Sequence, residues 1–382
     1  MRYTIGQLAE IIDGDRGKNY HKQDEFYPQG YCLFLNTGNV TKEGLIFEEN
    51  QFIMKEKDEA LRNGKLKRGD IVYTTRGTVG NAGYYNSSVP YENVRINSGM
   101  VILRSNGEIV DARFLYQILK SEYYRPYFKQ YCTGSAQPQL PLKNFSQIYL
   151  NVPDIKTQHR IADILSVYDN LIENNQKQIK LLEEAAQRLY KEWFVDLRFP
   201  GHENTKIVDG VPEGWRRGLL KELISVNYGK DHKKAPDDGN IPVYGSGGLM
   251  RKCNKSLFSG EAVLIPRKGS LNNIMYVDET FWTVDTMFYA TMKQPHTAVF
   301  VYFFVKAFDM YSMNIGAAVP SMTTKILDAM DVVIPDKETL EKFDKLTKTY
   351  FNKIKTLQGQ NERLKIARDL LLAKLMSGEV EV

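Results

Sequence analysis

Pro153-Asp154-Ile155-Lys156-Thr157-Gln158-His159-Arg160-Ile161-Ala162 and Pro335-Asp336-Lys337-Glu338-Thr339-Leu340-Glu341-Lys342-Phe343-Asp344 stand 182 residues apart and open two segments of one design. In each, the proline ends an extended stretch, and the aspartate can accept hydrogen bonds from the N–H groups of a following helical turn. A helical pattern then runs for about 40 residues. Ile161, Tyr168, Asn175, Leu182 and Leu189 recur every seventh residue in the first segment; Phe343, Tyr350, Leu357, Leu364 and Leu371 do so in the second. Ile164, Leu171 and Ala185, with Leu165, Ile172 and Ile179 beside them, widen the first apolar stripe. Such a helix is about 60 Å long, and its stripe must be buried against a partner of similar length. The other segment is the comparable partner. An antiparallel coiled coil is expected, with Asn175 helping to fix its register. Two separate helices, each packed on its own domain, are the alternative.

The 182-residue offset holds without a gap from 134–195 onto 316–377. Gly134, Ala136, Pro138, Lys143, Tyr168, Asn170, Ile172, Gln178, Leu182, Ala185 and Leu189 reappear as Gly316, Ala318, Pro320, Lys325, Tyr350, Asn352, Ile354, Gln360, Leu364, Ala367 and Leu371. Shared glycines and prolines imply a shared backbone path. Upstream, Gly6, Leu8, Glu10, Ile12, Gly17 and Lys18 match Gly218, Leu220, Glu222, Ile224, Gly229 and Lys230 at an offset of 212, and Gly69-Asp70-Ile71-Val72 matches Gly260-Glu261-Ala262-Val263 at 191. The first copy therefore carries 21 more residues between Lys18 and Gly69. Two long copies are a duplication with divergence, not a solenoid.

Each copy begins with short runs of β-branched and aromatic residues bounded by turn formers, such as Ile71-Val72-Tyr73-Thr74 and Ala262-Val263-Leu264-Ile265. Helical stretches at 112–130 and 299–311 interrupt them, so the fold class is α+β with a pseudo-twofold internal duplication. The 382 residues, with 23 Tyr and 18 Phe, exclude a peptide-sized module and global disorder. The longest apolar run, Val299–Val305, is far short of the roughly 20 residues that cross a bilayer, and the Met1-Arg2-Tyr3-Thr4 start has no signal core. No membrane association and a cytoplasmic location are expected. Cys32, Cys132 and Cys253 are widely spaced and never paired as CxxC, which argues against disulfides and a zinc site.

The net charge of +5 is small, so its placement matters more than its size. Lys65, Lys67, Arg68 and Arg76 cluster in the first copy; Lys230, Lys233, Lys234, Arg251, Lys252, Lys255, Arg267 and Lys268 cluster in the second. They lie amid Gly, Ser, Thr, Asn and Tyr, residues that hydrogen-bond phosphates and base edges. Lys65, Lys67, Arg76, Thr78, Arg95, Lys230, Lys233, Lys252, Arg267, Lys268 and Ser270 are the candidate DNA-binding residues, with recognition loops expected within 19–62 and 231–258. Tyr84, Tyr85, Tyr131 and Trp282 read as core, His159 as a cap or surface residue, and Gly134–Leu140 and Gly316–Met322 as turns before a strand. The sequence has no Walker A, HExxH or GxSxG motif and no Asn/Asp-Pro-Pro-Tyr/Phe loop of the kind that holds a flipped adenine. No catalytic residue and no metal ligand are assigned.

Several stretches carry a family resemblance. Gly134-Ser135-Ala136-Gln137-Pro138-Gln139-Leu140 runs toward Pro153-Asp154 and then Gln158-His159-Arg160-Ile161-Ala162, and the first helical segment ends in Tyr190-Lys191-Glu192-Trp193-Phe194-Val195-Asp196. The second copy has Val211-Pro212-Glu213-Gly214-Trp215, Pro242-Val243-Tyr244-Gly245-Ser246-Gly247-Gly248, Ile265-Pro266-Arg267-Lys268-Gly269-Ser270 and Phe281-Trp282-Thr283-Val284-Asp285-Thr286. In order and duplication the whole chain resembles the specificity subunit of type I restriction-modification systems.

That resemblance implies two target recognition domains, 1–153 and 197–335, and two spacer helices, 154–196 and 336–382. Each domain would read one half of a bipartite, asymmetric sequence in double-stranded DNA, and the helices would set the spacing and dock two methyltransferase subunits. It implies no cofactor on this chain: S-adenosylmethionine belongs to the modification subunits, and ATP with Mg to two ATP-dependent restriction subunits where the assembly has them. A stand-alone methyltransferase or nuclease and a non-catalytic coiled-coil scaffold are the competing readings. At Leu340 the second copy lacks the counterpart of Gln158, which puts equal partner contacts at the two helix starts in question.

Overall fold

Asp154 and Asp336 cap two long helices. The computed structural model describes every residue except 18, 19, 21, 49, 135, 136, 314–320 and 382. The repeat matches at Lys18, Ala136, Gly316, Ala318 and Pro320, parts of the two expected turns, and positions 19, 21 and 49 of the first expected recognition segment lie outside the described residues. Asp154 Oδ1 accepts from the backbone N–H groups of Lys156 and Thr157, both at 3.1 Å, while Thr157 Oγ1 donates to Asp154 Oδ2 at 2.7 Å. Asp336 repeats this with Thr339, at 2.9 and 2.7 Å, and also accepts from Trp215 Nε1 at 2.9 Å. An Asp-x-x-Thr cap thus starts Ile155–Tyr190, which continues into a π-helical turn over Lys191–Val195, and Lys337–Ser377.

Contacts divide the chain into two units, Met1–Asn175 with Gly359–Val382 and Gln176–Gln358, each holding part of both long helices. In the first unit, alternating apolar runs build an antiparallel sheet ordered Ala9–Asp13, Met100–Ser105, Ile71–Thr74, Ala82–Tyr84. A second sheet places Cys32–Leu35 between Phe52–Ile53 and, in parallel, Val94–Ile96. The second unit has one six-stranded sheet ordered Ile224–Tyr228, Met287–Met292, Phe258–Pro266, Met275–Thr283, Ile241–Gly245, Gly248–Cys253. In both units an early strand pairs antiparallel with the strand that leads into the long helix: Arg2–Thr4 with Tyr149–Asn151, and Arg216–Leu219 with Asp331–Ile334. The duplication is therefore one of topology as well as sequence.

Within each unit the long-helix segments run antiparallel to each other and also cover the globular part. Ile161, Ala162 and Leu165 share a core with Leu372, Leu375 and the Ala112–Lys120 helix; Ala186, Tyr190 and Trp193 share one with Leu340, Phe343 and the Ala298–Lys306 helix. Pairing and docking on the own domain, expected as alternatives, coexist. Of the seam positions, Ile161, Asn175, Phe343 and Leu357 are buried, and Tyr168, Leu182, Leu189, Tyr350, Leu364 and Leu371 are half-buried. Ile164 and Leu171, expected to widen the buried stripe, are exposed instead. The reason is the alternation of three- and four-residue steps, which gives the second seam row to Leu165, Ile172, Ile179 and Ala186.

Buried polar groups fix the helices in place. Asn175 Nδ2 donates to Asn361 Oδ1 at 2.8 Å, and both residues are buried. Their repeat counterparts, Leu357 and Ile179, are apolar, so this polar layer occurs once and removes the register ambiguity a duplicated seam would otherwise have. Asn175→Leu alone should cost about 1–3 kcal/mol, because it strands a buried amide. Asn175→Leu with Asn361→Leu should restore or exceed the parental stability while loosening register. Hydrogen exchange across 155–175 and 359–377 checks both; equal losses for the single and double variants would contradict the account. Farther along, Asp169 takes Lys120 Nζ at 2.6 Å, Arg368 Nη1 at 2.8 Å and Gln117 Nε2 at 2.6 Å. Burial pushes the Lys120 ammonium down to about 8 although Asp169 opposes it. Burial would raise the Asp169 carboxyl, but Lys120 and Arg368 hold it below its ordinary value.

Candidate nucleic-acid interface

The two copies present one loop in the same way. After Ile71–Thr74 the chain turns, and the N–H groups of Thr75 and Arg76 both donate to the Gly99 carbonyl, at 2.9 and 3.1 Å. After Phe258–Pro266 the N–H groups of Arg267 and Lys268 both donate to the Thr286 carbonyl, at 2.8 and 3.1 Å. Each loop is also held from much farther along the chain: Leu140 N–H donates to Thr75 O and Met322 N–H to Arg267 O, each at 2.9 Å. On these hydrogen bonds Arg76 corresponds to Lys268 and Thr75 to Arg267, 192 residues apart, one more than the offset of the Gly69–Val72 match. Arg76, Gly77 and Thr78 are exposed on the first loop, and Lys268, Gly269 and Ser270 on the second. Gly77 and Gly269 both have positive φ, 71° and 84°, which lets each loop reverse without a side chain at its tip. The Arg267 guanidinium lies 5.5 Å from the centre of the exposed Tyr228 ring, an arrangement that holds its cation at the surface.

The remaining candidates divide. Lys67, Lys230, Lys233 and Lys252 are exposed, and Trp282 Nε1 fixes the backbone at Lys230 by donating to its carbonyl at 3.0 Å. Lys65 is half-buried and paired with Asp58, beside the Tyr31 ring at 5.5 Å. Arg95 is not at a DNA-facing surface: it is 5% exposed. Its Nε donates to Asp58 Oδ1 at 2.6 Å, Nη1 to Asn63 O at 2.7 Å, and Nη2 to the carbonyls of Asp58 and Leu61 at 2.7 and 3.0 Å. The buried guanidinium is bonded through all three of its nitrogens, so the arginine is a structural bracket. Arg251, from the second cluster, is a bracket too, tying Asp237 and the carbonyls of His232 and Ala235 to the hairpin strand. Tyr85 and Trp282 are buried, and Tyr84 and Tyr131 half-buried, as core residues.

The Gln158 to Leu340 difference has an internal cause. Gln158 is fully buried; its Nε2 donates to Ile109 O and Pro153 O, both at 2.9 Å, and its Oε1 accepts from Asp111 N–H at 3.0 Å. Leu340 does the same bracing by apolar contact. The position therefore serves the docking of each helix start on its own domain. His159 is a surface residue 3.3 Å from Asp111. Residues not named from the sequence are also exposed: Tyr31, beside a cation, and the pair Leu249 and Met250 within the expected recognition segments, and Tyr228, beside Arg267, outside them.

Burial, with help from the Asp58 charge, pushes the Cys32 thiol up to about 12, so it is an inert core group. Among the described residues, no cluster of three or more His, Cys, Asp or Glu could hold a metal ion, and no helix is long and apolar enough to cross a membrane.

Matched basic loops on a duplicated α+β chain are the arrangement of a two-site reader of a polyanion. Comparison with known proteins narrows this. A family model described as the type I restriction modification DNA specificity domain matches residues 1–184 and 212–365, and the chain belongs to that family. The type I restriction enzyme HindI specificity subunit of Haemophilus influenzae is 24% identical, covering 98% of this chain and 100% of its own. The MjaIX specificity subunit of Methanocaldococcus jannaschii is 24% identical over 82% of this chain and 78% of its own. The crystal structure of the type I restriction-modification S subunit from M. genitalium superimposes with a TM-score of 0.54 at 18% identity, covering 98% of this chain and 95% of that one, and shows the shared fold.

Proposed function

We propose that this chain is the DNA sequence-recognition subunit of a type I restriction-modification complex and does no chemistry itself. Each unit reads one half of a bipartite, asymmetric site. The observation that carries this reading is the recurrence of one exposed basic loop, Arg76–Thr78 and Lys268–Ser270, on the same backbone hydrogen bonds in both copies. A single reader of a few base pairs discriminates by roughly 1–3 kcal/mol per pair, so two readers on one chain multiply specificity. Differences between the copies, including the 21 residues added to the first, fall where different bases would be read. In this reading the complex resides in the cytoplasm, the two partner methyltransferase subunits supply S-adenosylmethionine, and two restriction subunits can add ATP and Mg.

The test is adenine-methylation mapping in cells with and without this gene. A bipartite methylated motif that disappears on deletion supports the reading. An unchanged methylome with the modification subunits expressed overturns it, and methyl transfer by the purified chain alone would favour the stand-alone enzyme.

Ile164, Val167 and Leu171 form an exposed apolar stripe on the first long helix, with Ile366 and Leu370 exposed on the second, all in the first unit. Exposed stripes of this kind mark protein interfaces, and here they are the docking face for a methyltransferase subunit. Leu171→Glu should weaken assembly about tenfold or more while leaving the isolated chain's melting temperature unchanged. Sedimentation of mixtures with the modification subunit checks this, and undiminished assembly would exclude this face.

A further inference from the structure

The Ile241–Gly245 and Gly248–Cys253 strands of the second unit form a hairpin whose tip exposes two large apolar residues side by side, Leu249 at 60% and Met250 at 53%. Folding alone gives no reason for this. Neither side chain belongs to a core cluster, and water contact with so much apolar surface is unfavourable by about 25 cal/mol per Å². The hairpin is also built irregularly at this point. Val243 pairs with Arg251, but the next residue, Tyr244, pairs with Leu249, so Met250 is an extra residue in a bulge. A bulge of this kind re-aims a side chain and breaks regular pairing. Gly245 makes room for it: a Cβ there would come within 2.5 Å of Met250 Sδ. At Gly247 and Gly248 a Cβ would meet nothing within 4 Å, so the tip is slender and open.

The surroundings identify what the tip meets. Asn273 Nδ2 donates to Ser246 O at 2.8 Å, and Ser246 Oγ would lie 2.7 Å from a Cβ at Gly269, so the tip is fastened to the basic loop that carries Lys268. On the other side Arg251 ties down the segment that carries Lys233 and Lys234. From residue 228 to 270 there are eight Lys and Arg against four Asp and Glu. An apolar tip between cationic flanks fits a duplex, whose phosphates take the flanks and whose major groove admits a two-stranded β-ribbon. In that groove the apolar group to be met is the thymine C5 methyl.

We propose that Leu249 and Met250 are specificity-determining residues that read a thymine methyl in the half-site bound by the second unit. The inference rests on the DNA-reading function and adds to it the residue and the base feature concerned. Leu249→Ser and Met250→Ser remove the apolar contact at exposed positions, so neither should lower the melting temperature. Each is reconstituted with the modification subunits, and its methylated motif is mapped beside the parent's. Tolerance at one or two positions of one half-site should rise about tenfold, with the other half-site unchanged. Duplexes carrying the parent motif are then tested with uracil for thymine at each position. One substitution should weaken binding to the parent complex and have no further effect on the variants. Lys268→Gln, in contrast, should weaken binding to all sequences without relaxing the motif. Unaltered motifs for both serine variants, or uniform tolerance of uracil, would overturn the proposal and leave the DNA-reading function standing. If the parent complex methylates no defined motif, that function falls and this proposal with it.

Discussion

Arg95→Met should destabilise the first unit by about 3–5 kcal/mol, although the side chain carries one of the charges that looked most like a DNA contact. The change leaves the Asp58 carboxylate, itself buried, with Lys65 as its remaining cation, and it removes the donors to the carbonyls of Asp58, Leu61 and Asn63. Breaking one side of a buried pair is far more costly than the pair's net worth, because the surviving charge stays desolvated. Arg95→Lys should recover only part of the loss: the ammonium keeps the charge but cannot reproduce the fork that reaches four acceptors. The pH dependence has a definite sign. Burial would raise the Asp58 carboxyl, but hydrogen bonds from Lys65 and Arg95 hold it below its ordinary value of 3.8. Its contribution is therefore present above that value and lost as the pH falls through the lower folded one. The deficit of Arg95→Met should be largest near neutrality and shrink on acidification. Hydrogen exchange over 1–175 is the readout, since Trp193, Trp215 and Trp282 all lie in the second unit and fluorescence would miss the change. A deficit below about 1 kcal/mol, or one constant down to pH 3, would show that the bracket does not carry this part of the fold.

Arg95 also shows why the fold was more legible in the sequence than the site. The duplication could be read because glycines and prolines fix backbone geometry locally, and a constant offset aligns many of them at once. The long helices could be read because Asp154 and Asp336 mark a helix start by themselves and the seam repeats within one element. Burial of a charge has no such local signature. Arg76 and Arg95 sit in similar polar, glycine-containing surroundings; what separates them is Asp58, 37 residues before Arg95 and brought to it by tertiary structure. The internal role of Gln158 is hidden for the same reason, since its partners Ile109 and Asp111 lie far from it in the chain. Leu249 and Met250 fall inside the expected recognition segment 231–258, but what singles them out, the bulge, depends on a strand pairing that the sequence does not show. Ile164 and Leu171 fall on the right helix but the wrong face, because a broad apolar stripe does not say which of its edges the partner covers.

Arg76→Gln and Lys268→Gln should each weaken binding of the assembled complex to its own site by about tenfold at low salt, and together by about a hundredfold. Both side chains are exposed, each on a loop whose backbone is clamped to a neighbouring turn at Gly99 or Thr286, so removing the charge leaves the loop in place. Arg267 is the poorer test, because its guanidinium also lies over Tyr228 and donates to Asp285 O, and its loss would disturb the loop. If each cation neutralises one phosphate, each substitution should reduce the slope of log affinity against log salt by about 0.9 in magnitude. The two residues lie in different units and share no partner, so their effects should add, giving a change near 1.8 for the double variant. Fluorescence anisotropy on a labelled duplex between about 50 and 200 mM salt measures both quantities. The methylated motif itself should not change, because phosphate contacts position a reader without telling it which base is present. An unaltered slope for either variant would remove that loop from the interface. A relaxed motif would instead place its side chain on a base edge, and the division of labour between basic loops that hold the duplex and the apolar hairpin tip that reads it would have to be redrawn.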